Sequence, residues 1–120
     1  MKTFEVKMAA FHAKQKEFCY LQSISMHREI HWEEGCSEYF VRIILSAYPP
    51  DSKGKKLEIN FEGVRNLKLS DIDGLLALLI DIADISKDQM ENINFKVMED
   101  ENNLFSFYCK SFSFEEIATK

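Results

Sequence analysis

The stretch that decides the fold is YFVRIILSAYPPDSKGKKLEINF, residues 39–61. From Tyr39 to Tyr48, apolar side chains occupy both odd and even positions, which is the pattern of a central strand. From residue 57 to residue 61 apolar and polar residues alternate, the period of a strand with one face in the core. Between these runs, residues 49–54 combine residue types that favour turns. The stretch therefore predicts an antiparallel hairpin.

A helix and a long strand are predicted before this hairpin. From Met8 to Phe18, apolar side chains recur at helical spacing, which indicates a short amphipathic helix. From Tyr20 to Glu33 the period changes to two, with apolar residues on one side and Ser, His and Glu on the other. This alternation predicts a long, half-exposed strand that ends at the turn Glu34–Gly35.

The segment after the hairpin is less clear. Gly63 is expected to mark a bulge or tight bend before residues 64–69. Residues 70–86 fit two interpretations, because the leucines at 75, 76 and 79 suit a helical face whereas the later alternation suits a strand. We favour a short helix or turn over residues 70–77, followed by a strand that ends near residue 85.

Two further strands are predicted near the end of the sequence, over Glu91–Met98 and Leu104–Phe112. The polar turn at residues 100–103 joins them, so they form a second antiparallel hairpin. The segments together predict a single domain, residues 1–120, of the α+β class. We expect a mainly antiparallel β-sheet with a short N-terminal helix and, if residues 70–77 are helical, one further short helix.

Composition limits the classes of function. The chain has 120 residues, of which 46% are hydrophobic and 29% charged, as in an ordinary globular domain and unlike a disordered or collagen-like chain. The formal net charge of −5 gives no support for binding nucleic acid or an anionic membrane, since both need a basic surface. No apolar run approaches the ~18 residues that suggest a membrane span.

The cysteines and the N-terminal residues indicate the compartment. Cys19, Cys36 and Cys109 are odd in number and include no Cys-x-x-Cys pair, so neither a disulfide framework nor a cysteine-cluster zinc site is expected. Charged residues interrupt the first seven positions, where a signal peptide needs an apolar segment. We expect a cytoplasmic protein.

Negative charge is concentrated in one part of the chain. Residues 1–70 carry a net charge of +2, whereas residues 71–101 carry −7. If the connecting loops lie on one side of the sheet, these carboxylates form one acidic patch that attracts a basic partner protein. The predicted partner-binding residues are Asp71, Asp73, Asp81, Asp84, Asp88, Glu91, Glu99, Asp100 and Glu101. The alternative is a surface that only keeps the protein soluble.

A metal site or an enzyme is the second hypothesis. On a strand His27, Glu29 and His31 point to the same side at steps of about 6–7 Å, so they are candidate metal ligands. No third ligand is forced into place, the order differs from the zinc-protease pattern His-Glu-x-x-His, and no phosphate loop or nucleophile motif occurs. We therefore expect no cofactor, no metal and no catalytic activity. A third hypothesis is an oligomeric domain that buries exposed aromatic residues on self-association.

The order of the segments resembles a known family. The segment LEINFEGV at residues 57–64, the residues 66–67 that follow, and the hairpin from residue 91 through Phe105–Cys109 are similar to small immunity proteins of bacterial polymorphic-toxin systems. The resemblance covers residues 18–115. It implies a cytoplasmic, non-catalytic protein that binds and neutralises one cognate toxin, often a nuclease with a basic active-site surface. Binding surfaces differ widely within such proteins, so the resemblance assigns no binding residue.

Overall fold

A computed structural model describes residues 3–47, 54–70, 77–88 and 93–118. In these ranges the strands form two antiparallel four-stranded sheets, in the orders β1-β2-β3-β8 and β4-β7-β6-β5. The predicted α+β, mainly antiparallel class is confirmed. The elements are α1 (Thr3–Glu17), β1 (Tyr20–His31), β2 (Cys36–Ser46), β3 (Lys55–Glu62), β4 (Arg65–Leu69), β5 (Ile80–Asp84), a 3-10 turn (Ser86–Asp88), β6 (Phe95–Glu99), β7 (Phe105–Cys109) and β8 (Ser111–Ala118).

The hairpin predicted from residues 39–61 is confirmed. β2 lies between β1 and β3 and pairs antiparallel with both, as expected for a strand with apolar residues on both faces. Most of the predicted turn lies outside the described residues, but Ser46 is paired with Lys56 across it. The inward residues of β2 and β3 are almost completely buried: Val41, Ile43, Leu45, Leu57, Ile59 and Phe61.

A bent two-stranded ribbon connects the two sheets. β3 pairs with β8 in the first sheet, and their continuations β4 and β7 pair in the second. At the bend Gly63 has φ 66°, and the backbone N–H of Lys110 donates to the carbonyl oxygen of Glu62 at 2.9 Å. A Cβ atom at position 63 would lie 2.8 Å from Cβ of Lys110, so glycine is required sterically and conformationally. The bend predicted at this glycine is confirmed.

Helix α1 packs on strands of both sheets. The ring of Phe4 stacks on Phe95 of β6 at 5.6 Å between centroids, and Phe11 meets the ring of Phe114 of β8 edge-on at 5.3 Å. The side chain of Gln15 accepts a hydrogen bond from the backbone N–H of Ile80 at 2.6 Å and donates to its carbonyl at 3.3 Å. The predicted helix is confirmed, but it begins five residues before Met8 because the Phe4 contact extends the buried stripe.

The second half of the chain differs from the prediction in two places. The single strand expected over Leu104–Phe112 is wrong, since β7 and β8 are separate strands in different sheets with Lys110 between them. β6 begins at Phe95, later than predicted, and residues 91 and 92 lie outside the described residues. The strand predicted to end near residue 85 is confirmed as β5, whereas the helix or turn over residues 70–77 falls mostly on residues 71–76, outside the described ranges.

Candidate functional site

The predicted acidic residues do not form one group in the described part of the chain. Asp71, Asp73 and Glu91 lie outside the described residues. The backbone N–H of Asp100 donates to the carbonyl oxygen of Leu79 at 2.8 Å, which places the turn after β6 at the start of β5. Residues 84–88 lie at the opposite end of β5, about 13 Å away at the usual rise of a strand. The loops that carry these carboxylates therefore lie at opposite ends of the strand.

Glu99 is a structural residue, contrary to the expectation that it binds a partner. Its side chain is 1% exposed. One carboxylate oxygen accepts hydrogen bonds from the backbone N–H groups of Leu79 (3.1 Å) and Glu101 (2.9 Å), and the other accepts from Asn102 (2.8 Å) and Leu104 (3.0 Å). The buried carboxylate thus organises the turn at residues 100–103 and is not available to a partner.

The environment of Glu99 favours its ionised form. Burial by itself raises the pKa of the carboxyl group, because it removes water from the charge. The four backbone donors outweigh burial, and the net pKa lies below its usual value. This residue is therefore a fixed negative charge beneath the turn at neutral pH.

Three predicted residues do lie exposed beside one another, and we call them the acidic end: Asp81, Asp100 and Glu101. Asp81 is on the outer face of β5, and the other two occupy the turn that Glu99 holds. None of the three carboxylates makes an ion pair with a described residue. Asp84, by contrast, accepts hydrogen bonds from the backbone N–H and hydroxyl of Ser86, which lower the pKa of its carboxyl group.

A second exposed surface was not predicted from the sequence. Phe40 is the last residue of β2 that pairs with β3, yet the pairing of β1 with β2 continues to His31 and Cys36. The Arg28–Tyr39 pair is still tied to the body, since the backbone N–H of Val64 donates to the Tyr39 carbonyl oxygen at 3.0 Å. The three pairs beyond it and the turn at residues 32–35 project further, by about 10 Å before the turn. We call residues 28–39 the arm.

One face of the arm is apolar and exposed. Cross-strand pairs put Met26, Arg28 and Ile30 on the face that continues from the core, together with Tyr39. Met26 is 56% exposed, Ile30 48% and Tyr39 39%, while Trp32 in the turn is 82% exposed. The guanidinium of Arg28 lies 4.4 Å from the ring centroid of Tyr39, a cation–π contact that links the two strands.

The opposite face of the arm carries the candidate metal ligands and further carboxylates. Nε2 of His27, next to the arm, lies 3.4 Å from a carboxylate oxygen of Glu29, and Glu29 is directly opposite Glu38. The arm holds four glutamates and one arginine, a net charge of −3. Within the described ranges, no three His, Cys, Asp or Glu side chains are grouped so as to hold a metal ion. His27, Glu29 and His31 therefore form a polar strand face with one His–Glu contact.

The three cysteines lie in different environments. Burial raises the pKa of the Cys109 thiol to about 12, although nearby Lys7 opposes this shift. Cys109 is buried in the core. Cys36 is exposed on the arm, and Cys19 is half-buried.

The signals for the arm were present in the sequence. Trp32, the one tryptophan of the chain, stands next to the predicted turn, where a core residue is not expected. The net charge of −3 was hidden because it was averaged with the basic residues elsewhere in residues 1–70. A charge count in shorter windows reveals it.

The described residues thus present an exposed, acidic and partly aromatic arm on a two-sheet body, and such a composition is typical of protein–protein interfaces. The family model "Immunity protein PIM8" matches residues 4–115. This range includes α1 from its second residue, strands β1 to β7 and the first part of β8. The chain belongs to this family of immunity proteins. Membership supports an immunity role in general and implies a protein partner. The comparisons with curated proteins and with solved structures found no match.

No helix in the described ranges is long and apolar enough to span a membrane.

Proposed function

We propose that this protein binds one cognate toxin domain directly and neutralises it in the cytoplasm, and that the toxin presents a basic surface. Family membership supports the immunity role. The observation that supports a basic partner is the acidic end. Its carboxylates Asp81, Asp100 and Glu101 are exposed and make no ion pair with a described residue. Unpaired surface carboxylates interact with a cationic partner without first breaking internal ion pairs.

The acidic end acts through its electric field. Charges on one partner raise the rate of association with an oppositely charged surface, and the effect falls steeply with ionic strength. At 0.01 M ionic strength the field extends about 30 Å, whereas at 0.15 M it extends about 8 Å. The acidic end therefore contributes to the association rate mainly at low salt, even where it lies outside the contact area.

The direct test starts from the neighbouring genes, in which the proposal predicts a secreted protein with a C-terminal toxin domain. The domain is expressed with a substitution that inactivates it for binding measurements, and in active form for growth assays. The proposal predicts a 1:1 complex with the purified protein and restored growth when both are co-expressed. Growth arrest despite co-expression, together with no complex between the purified proteins, would refute the proposed function.

The contribution of the acidic end has its own test. The double variant Asp100→Asn/Glu101→Gln is compared with Glu62→Gln/Glu115→Gln, which removes the same charge from exposed positions on β3 and β8. The first pair is expected to slow association with the toxin domain roughly threefold to tenfold at low salt, and the control pair much less. Equal slowing by both pairs would mean that total charge, and not the acidic end, attracts the partner.

A further inference from the structure

We propose that the arm is the anchor of the toxin complex: its apolar face enters a cleft of the toxin domain, and its glutamates bind basic side chains at the rim of that cleft. The inference rests on the proposed function and assigns it a contact surface that no family property supplies. It concerns residues 28–39 and Met26 beside them.

The exposed face of the arm has the composition of a protein interface. Trp32 is 82% exposed, Ile30 48% and Tyr39 39%, and Arg28 lies over the Tyr39 ring. Tryptophan, tyrosine and arginine are the residues most enriched among those that contribute most to binding energy at protein interfaces. An exposed tryptophan at the tip of a hairpin adds nothing to the core of this protein, so its apolar surface remains to be buried by a partner.

The charge of the arm favours a basic partner. Glu29 and Glu38 are paired directly opposite each other on β1 and β2, and like charges in this position destabilise a sheet. Neither carboxylate has an ion pair with Lys or Arg among the described residues. A basic side chain of a partner placed between them removes this repulsion. The arm is therefore expected to bind a cationic surface more tightly than a neutral one.

The same charge argues against a second copy of this chain as the occupant. Two arms packed against each other would bring together net charges of −3 each, with Glu29 and Glu38 of both copies close by. Like-charge juxtaposition at an interface disfavours that pairing. A basic toxin domain meets the arm without this repulsion.

The shape of the arm fits a cleft better than a flat surface. It is a two-stranded ribbon that extends about 10 Å past the Tyr39–Val64 hydrogen bond before its turn begins. The arm is held at its base by that hydrogen bond and by core residues of β2 such as Val41. A narrow ribbon supported in this way is able to enter a concave site on a partner.

The arm and the acidic end have different roles because they are far apart. The acidic end lies near the start of β1, where Tyr20 bridges Ala77, whereas the arm lies beyond its other end. The 11 steps from Tyr20 to His31 correspond to about 36 Å. An interface of about 800 Å² per partner is roughly 32 Å across, so one centred on the arm does not reach the acidic end. The acidic end therefore affects the rate of association with the toxin domain, and the arm determines the rate of dissociation.

The experiment compares two double variants in binding to the inactivated toxin domain. Ile30→Ser/Trp32→Ser removes apolar surface from the arm, and Val6→Ser/Leu69→Ser removes apolar residues that are also exposed, at 65% and 46%, but lie elsewhere. Because all four side chains are exposed, both variants are expected to fold, which their urea midpoints check. The arm variant is expected to dissociate about thirtyfold faster or more, whereas the control is expected to dissociate like the wild type.

A single-charge variant separates a binding role from a structural role. Glu29→Gln is expected to leave the free protein equally or slightly more stable, since it removes the repulsion with Glu38. The same variant is expected to weaken toxin binding severalfold. Glu17→Gln, which is exposed at the end of α1 and has no cross-strand partner, is the control and is expected to change neither.

The outcomes distinguish the inference from the proposed function. If the wild type binds and protects, but the arm variant dissociates at the wild-type rate, the arm is not the anchor and the immunity function stands. A concentration-dependent dimer of the free protein that buries Trp32 would identify a second copy as the occupant and also overturn the inference. If the wild type does not bind the toxin domain at all, the proposed function fails and the inference fails with it.

Discussion

Replacing Glu99 with glutamine tests how the turn at residues 100–103 is held. The carboxylate accepts four backbone N–H bonds, two on each oxygen. The amide of glutamine has one oxygen and one NH₂ group, so at least two of the four N–H donors lose their acceptor and face another donor. A buried donor without a partner costs about 1–3 kcal/mol. We expect the Glu99→Gln variant to be less stable by about 3 kcal/mol at pH 7.

The stability difference is expected to depend on pH in a defined direction. The pKa of Glu99 is lower in the folded protein than in the unfolded chain, so its ionised form stabilises the fold above the unfolded pKa. This contribution is lost as pH falls through the folded pKa. The difference between wild type and Glu99→Gln is therefore largest above about pH 5 and becomes smaller at lower pH.

Urea denaturation followed by circular dichroism measures the effect. With a slope of about 1.5 kcal/mol per molar urea, a loss of 3 kcal/mol lowers the midpoint by about 2 M. Glu101→Gln, in the same turn but exposed, is the control and is expected to stay within about 0.5 kcal/mol of wild type. If Glu99→Gln also stays within that range at neutral pH, the carboxylate does not hold the turn as described.

Three further predictions concern the rest of the fold. Gly63→Ala is expected to lower the free energy of unfolding by more than about 2 kcal/mol, because of the positive φ and the contact with a neighbouring Cβ. Gly35→Ala shares the positive φ but lies in open space, so its expected loss is only about 1 kcal/mol. Equal losses in urea denaturation would contradict the steric explanation. Gln15→Leu leaves the N–H and C=O of one buried β5 residue without partners, so about 2–4 kcal/mol is lost; a stability change below 1 kcal/mol counts against this contact. Iodoacetamide is expected to alkylate exposed Cys36 in the native protein and Cys109 only after unfolding, as read by mass spectrometry; native labelling of the latter contradicts its burial and raised pKa.

The central hairpin and the helix were predictable because local pattern and final environment agree there. The apolar residues of Tyr39–Tyr48 predict a central strand, and β2 indeed pairs with a strand on each side, although only its odd-numbered residues are buried. The start of α1 was missed because Phe4 gains its partner from β6, a contact that helical spacing alone does not reveal.

The separation of β7 from β8 was missed although a signal exists. Buried residues occupy odd positions up to Cys109 and even positions from Phe112, so the inward face changes at Lys110. A strand that changes face in this way must bend or change sheets, because side chains alternate strictly along a strand. The bend at Gly63, on the neighbouring strand of the same ribbon, was predicted because a glycine within a strand pattern by itself indicates a bulge or bend.

The candidate site was predicted less completely than the fold. Counting charges located an acidic segment, but counting does not distinguish an exposed carboxylate such as Glu101 from a buried one such as Glu99. That distinction depends on which backbone donors the folded chain brings around each carboxylate. The arm was missed for a related reason, since the length by which β1 and β2 exceed their neighbour β3 is set by sheet pairing and is not a property of either strand alone.

Trp32 offers the most direct measurement of the central claim, that this protein neutralises a toxin by inserting the arm into it. It is the one tryptophan of the chain and is 82% exposed, so a tryptophan-free variant of the inactivated toxin domain makes its fluorescence specific. On titration with that domain, the account predicts a blue shift of the emission that saturates at a 1:1 ratio, together with protection from acrylamide quenching. Tight binding with no change in emission or quenching would contradict the account.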